Sequence, residues 1–146
     1  MLRSQQQYGQ IGTQGLNALK AMLRNALESD DTINSFIGMQ LSQSRHQMNI
    51  IEPEAPYSLE EIGELLQEED TIFEKVAGLK ALSIEGVAEQ LFVNGETYAI
   101  DARDSQLITM LCNQERFNGA QLTCLPQSHS LQTLQALVNN GYWYIA

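Results

Sequence analysis

Two histidines, two cysteines and eighteen carboxylates are the side chains of this 146-residue chain that could ligate a metal, activate a nucleophile or move a proton. A metal site needs several such ligands converging on one point. His46 follows Arg45 at an expected helix end, and His129 stands in the sequence Gln-Ser-His-Ser, read as an exposed turn. Neither lies in an HxD, HxE or HExxH setting. A Cys–His nucleophile would have to join Cys124 to His129 across Pro126, with no third group to orient it. Cys112 and Cys124 lack CxxC spacing and are expected as reduced, buried thiols of a cytoplasmic protein. Glu60 and Glu61 are adjacent residues on a helix surface, not a paired acid and base. There is no GxSxG, P-loop or GxGxxG. The expectation is a chain with no catalytic residue, no metal ligand set and no cofactor of its own.

Charge narrows the partners. Eighteen acids against eight bases give a net charge of −10. Nine acids and no base fall between Glu52 and Glu74. Such a field repels phosphate backbones; it reads first as a solvated acidic face and second as a surface that could steer a basic partner. No apolar run approaches the ~18 residues of a membrane span, and MLRSQQQYGQ has no apolar core of a secretory signal. Neither nucleic acid nor a membrane is an expected partner.

The elements that would position these residues follow from periodicity. Residues 1–15 are rich in Gln and Gly and read as a tail or linker. Leu16, Leu19, Leu23 and Leu27 then form one helical stripe. Ser29-Asp30-Asp31-Thr32 ends that helix and caps a second, which carries Ile33, Phe36, Ile37, Leu41 and Met48. Two short helices with wide apolar stripes are not stable as an isolated pair, so residues 16–50 are expected to dimerise. Pro53 and Pro56 stiffen a connector over residues 51–57. Arg45 and His46, just before it, read either as fixing the contact between the two regions or as an ordinary surface pair.

Residues 58–146 read as one domain. Ser58 and Glu61 form a capping box, with Leu59, Ile62, Leu65 and Leu66 facing inward. TIFEKV, LKALSI, EQLFV and ETYAI have strand period, and Asn94-Gly95 signals a type I′ turn. Asp101–Asp104 lead into a helix with Leu107, Ile108 and Leu111 inward, and a short helical piece is expected around Ala120–Leu125. Ser128 or Ser130 would cap a last helix carrying Leu134, Leu137 and Val138, which Gly141 ends; Trp143 and Ile145 then share one face of a closing strand, buried under that helix, and Tyr142 and Tyr144 the other, nearer the rim. The fold class is α+β: a helical dimerisation region followed by a winged-helix-like domain with a small antiparallel sheet.

Three stretches carry a resemblance. LSQSRHQMNIIEPEAPYSLEEI (Leu41 to Ile62), the NGE turn at Asn94 to Glu96, and LQALVNNGYWYIA at the end resemble the C-terminal part of the bacterial ribosomal-protein arginine hydroxylases. These are JmjC/cupin-class ribosomal oxygenases that use Fe(II) and 2-oxoglutarate. In that family a preceding JmjC domain carries the iron triad, and no segment here matches it. The resemblance implies the accessory part of such an enzyme, homodimeric, which meets a ribosomal-protein substrate only through the catalytic domain. A stand-alone acidic adaptor and a winged-helix DNA-binding regulator are the other readings. The second is disfavoured because Arg116 is the only cation from Leu107 to Ala146, although Gln132, Gln135 and Asn139 could in principle touch bases.

The closing aromatics give a direct test. A side chain such as Trp143 buries on the order of 150–250 Å², which at roughly 25 cal/mol per Å² is about 4–6 kcal/mol as an upper bound. Removal of residues 142–146 is therefore expected to unfold the C-terminal domain. Trp143 is the only tryptophan, so native emission at a water-exposed wavelength, or a truncated chain that melts like the intact one, would contradict this.

Overall fold

A computed structural model describes residues 12–27, 30–44, 47–85 and 87–146. The chain divides into two compact units, 1–37 and 38–146. In the first, α1 spans Thr13–Leu27 and α2 begins at Asp30, running to Ser42. Leu16, Leu19 and Leu23 are exposed on α1, with Met22 beside them, and Phe36 and Ile37 are exposed on α2. Ile33 is half-buried. The side chain of Leu27 and the whole of Arg45 and His46 lie outside the described residues. Met48 does not belong to α2, which stops at Ser42; it packs instead against the core of the second unit.

The second unit is built on two three-stranded antiparallel sheets and three helices. Helix α3 (Leu59–Gln67) opens with the capping box, Ser58 Oγ accepting from Glu61 N–H at 3.1 Å and Glu61 Oε1 from Ser58 N–H at 3.2 Å. Strand β1 (Phe73–Lys75) lies between β5 (Arg116–Phe117) and β6 (Trp143–Ile145). Phe73 stands directly opposite Phe117, and their rings stack with centroids 5.1 Å apart. The second sheet runs β2 (Ala81–Ile84), β3 (Val87–Val93), β4 (Glu96–Ala99). Asn94 (φ 49°) and Gly95 (φ 81°) make the tight turn, both in the left-handed region that this hairpin needs.

The strand period sorts β3 between two faces. Leu91 and Val93 join the main core, while Phe92, also fully buried, points the other way. The end of α2 covers it. A Cβ on Gly38 would lie 2.5 Å from the Phe92 ring, so only glycine admits this approach. Buried Ser42 secures the same corner, its Oγ accepting from Gly95 N–H at 3.0 Å.

Helix α4 (Ser105–Asn113) follows a 3-10 turn at Ala102–Asp104 whose cap is Asp101, accepting from Arg103 N–H at 3.0 Å. It buries Leu107, Met110 and Leu111. The expected helical piece at 120–125 is a single 3-10 turn, Gly119–Gln121, capped by Asn118. Helix α5 (Ser128–Asn139) is not capped by a serine hydroxyl. Gln127 holds the cap position, and its N–H donates to Asp104 Oδ2 at 2.8 Å. Ser130 is buried and spends its Oγ accepting from Asp101 N–H at 2.8 Å. His129 sits in the first helical turn rather than in a loop, and it is exposed.

Two close arrangements lend themselves to measurement. A Cβ on Gly119 would overlap the Leu66 carbonyl, a backbone group that cannot swing aside. Gly119→Ala is expected to cost about 3 kcal/mol, the upper end for overpacking, and to lower Tm by roughly 10 °C; an unchanged melt would remove the argument. The second is the polar seam between β4 and the end of α5. Tyr142 donates to Glu96, Tyr98 donates to Glu96 Oε2 at 3.4 Å, and Asn140 Nδ2 donates to Tyr98 Oη at 3.1 Å. Burial, then the Glu96 charge, push the Tyr98 phenol from 10.0 up to about 12. The folded state thus favours the neutral phenol. Its contribution is whole below pH 10 and is lost as pH rises through about 12. Denaturant unfolding between those pH values is expected to fall less steeply in Tyr98→Phe than in the wild type.

Candidate functional site: the last helix and the cleft beside it

Helix α5 is the last helix of the second unit, and its polar residues decide whether it could read bases. Asn139 Oδ1 accepts from the Tyr57 N–H at 2.8 Å, and its Nδ2 donates to the Tyr57 carbonyl at 3.1 Å. Gln135 Nε2 donates to the same carbonyl at 3.0 Å. Two of the three residues that could have met bases therefore hold the proline connector; Gln132 stays exposed. Arg116 is paired with Glu74, which also accepts from the Tyr144 hydroxyl. Asp104 places a carboxylate at the start of α5, where a phosphate would otherwise be attracted. Among the described residues of α5 only Gln132 keeps an amide side chain available, and no unpaired Lys or Arg lies on the helix to hold a phosphate.

Below α5 the apolar residues gather. Leu134, Leu137 and Val138 are buried, Trp143 is fully buried, and Ile145 is half-buried against the same core. Tyr142 is buried too, not at the rim, because it precedes β6 and turns inward to the polar seam; Tyr144 is exposed. Gly141 makes the turn at φ 79°. A Cβ there would come within 2.7 Å of the Ile51 carbonyl, so the connector runs tight against this turn.

Between the connector and β6 lies a cleft of about 600 Å³. Its walls include Ile51, Glu52 and Glu54 on one side and Trp143, Tyr144 and Ile145 on the other. Trp143 Nε1 is the one buried side-chain polar atom among the described residues without a hydrogen-bond partner. The Lys75 ammonium lies 5.7 Å from the Trp143 ring centroid, a cation–π contact. Partial burial pulls the Lys75 pKa down, opposed by Cys112 and Glu115. The sequence signal for this cleft, two prolines followed by an aromatic, reads only as a stiff connector; the close approach that makes a wall of it depends on Gly141.

The residues with catalytic side chains do not assemble. Cys112 is half-buried, and burial raises its thiol pKa. Cys124 is exposed rather than buried, because the segment before Pro126 runs along the surface; its Sγ lies 3.8 Å from Thr123 Oγ1. No hydrogen bond joins it to His129 among the described residues. No three of His, Cys, Asp and Glu among them could hold a metal ion. The described residues therefore do not fit an iron and 2-oxoglutarate site. No helix among them is long and apolar enough to cross a membrane.

Comparison with known proteins agrees with this architecture. Ribosomal protein uL16 3-hydroxylase of Escherichia coli (strain K12) is 30% identical over 137 residues, which cover 90% of this chain and 34% of that protein. The chain thus spans about a third of that relative's length. The structure of YcfD, a ribosomal oxygenase from Escherichia coli, matches with a TM-score of 0.72 at 25% identity, over 99% of this chain and 39% of that one. The same oxygenase in complex with cobalt and 2-oxoglutarate matches in fold, with a TM-score of 0.69 at 24% identity over 99% and 38% of the two chains. The model of the ROXA-like winged helix matches residues 21–144. That span takes in α3–α5 and both sheets, and the chain belongs to the ROXA-like winged-helix family.

Proposed function

We propose that this chain serves as the accessory, dimer-forming part of a ribosomal oxygenase. The enzyme it supports would use Fe(II) and 2-oxoglutarate to hydroxylate an arginine of a large-subunit ribosomal protein. Catalysis would reside in residues other than these, and this chain alone would perform none. The similarity to the Escherichia coli uL16 3-hydroxylase across 90% of the chain supports the reading of the parent activity.

The observation that carries the dimer is the uncovered stripe on the first unit. Met22 is 66% exposed and Leu23 61%, with Leu16, Leu19, Phe36 and Ile37 all exposed as well. Clustered apolar surface of this kind marks an interaction site. A second copy suits it because an α1 stripe at i, i+3 and i+7 can pack against its own symmetry mate, as a two-fold interface requires. Ile33 and Leu27 belong to the same proposed interface by sequence spacing.

Light scattering of the purified chain is expected to give the mass of a dimer. Leu23→Asp would bury an unpaired charge there, costing several kcal/mol as an order of magnitude, and yield a monomer or an unfolded chain. A wild-type monomer at high concentration would overturn the dimer. Calorimetry with Fe(II) and a 2-oxoglutarate turnover assay address the rest: a stoichiometric iron site or turnover by this chain alone would overturn the accessory role.

A further inference from the structure

The outer edge of β6 is an unfilled strand position. Val76 N–H donates to the Tyr142 carbonyl at 3.0 Å, and Ala146 N–H to the Ile72 carbonyl at 2.9 Å. Backbone groups alternate along an antiparallel strand. The Tyr142 carbonyl, Tyr144 and the Ala146 N–H therefore turn toward β1, while the Tyr142 N–H donates to the Leu137 carbonyl at 3.0 Å, and Trp143 and Ile145 turn their backbone groups away. On that side β6 is the edge of its sheet, and no N–H of Trp143 or Ile145 donates to another described residue.

This edge does not face open solvent alone. Trp143, Tyr144 and Ile145 line the cleft, and the connector forms its opposite wall. Three further features of the cleft concern what could enter it. Trp143, fully buried, has an indole N–H with no acceptor. Glu52 and Glu54 stand in the wall, and no Lys, Arg or His among the described residues does. Ile51 is 71% exposed and Tyr144 43%, leaving an apolar flank uncovered on each side.

We propose that the cleft binds an extended basic peptide segment of another protein, which pairs with β6 as an added strand. Backbone carbonyls of the segment would accept from the Trp143 and Ile145 N–H groups. Its alternate side chains fall into the cleft, where Lys or Arg stems cover Ile51 and Tyr144 and their heads meet Glu52 and Glu54. A helix cannot satisfy the strand edge, and the carboxylate wall disfavours an acidic segment or a phosphate backbone. The inference stands independently of the oxygenase reading.

The probe is a nine-residue capped peptide alternating Lys and Thr, titrated into the full chain while Trp143 emission is followed. A saturable change is expected, absent with the Glu-Thr counterpart. Methylating alternate amide nitrogens on the edge-facing side should abolish it. The E52Q/E54Q double variant should melt like the wild type and bind at least about 5-fold more weakly, as for two exposed ion pairs. The proposal is overturned by no saturable change up to millimolar peptide, or by undiminished binding of the methylated peptide. It is equally overturned by emission that shifts with protein concentration alone, which would put a second copy in the cleft.

Discussion

The pairing of β6 with β1 is the constraint on which the second unit depends. It joins the last residues of the chain to its middle, Phe73 opposite Ile145 and Lys75 opposite Trp143. That pairing sets Trp143 under α5 and beneath the Lys75 ammonium, and it brings Tyr144 and Arg116 onto the same carboxylate of Glu74 from either side of β1. Loop closure over this separation has to be offset by what it buries. The largest fully buried side chain of the unit, Trp143, lies on the strand that closes it.

Much of this arrangement is legible in the residues because period and turn chemistry are local. The α+β class, the capping box at Ser58 and the Asn94-Gly95 hairpin each follow from a few neighbouring residues. What is not legible depends on partners distant in sequence. Ser130 looks like a helix cap, yet its hydroxyl goes to Asp101, and Asp104 does the capping from another element. Tyr142 looks like one of a pair of rim tyrosines, yet Glu96, 46 residues away, draws it inward. Met48 continues the apolar spacing of α2, but the helix stops at Ser42, whose side chain is committed to the hairpin turn.

The absence of cations from the last helix has a structural counterpart. A reading helix keeps its amide side chains available and surrounds them with positive charge. Here Asn139 and Gln135 act as backbone surrogates for the connector, satisfying both the N–H and the carbonyl of Tyr57. A segment containing Pro53 and Pro56 has fewer N–H groups with which to pair, so side-chain amides are a natural means of fixing it. The winged-helix shape is used here to anchor a connector.

That anchoring explains the distribution of acid as well. The connector and α3 carry five of the nine acids between Glu52 and Glu74, the turn after α3 carries three more, and all eight are exposed. The ninth, Glu74, is on β1 and is the one held in an ion pair, with Arg116. Like charges crowded on a mobile segment would spread it apart. Held by the bonds of Tyr57 to α5 and by the close pass of Ile51 over Gly141, Glu52 and Glu54 become a fixed negative wall. Its position beside an unpaired strand edge follows from two local facts: Gly141 lets the connector approach, and β6 is the last strand of its sheet.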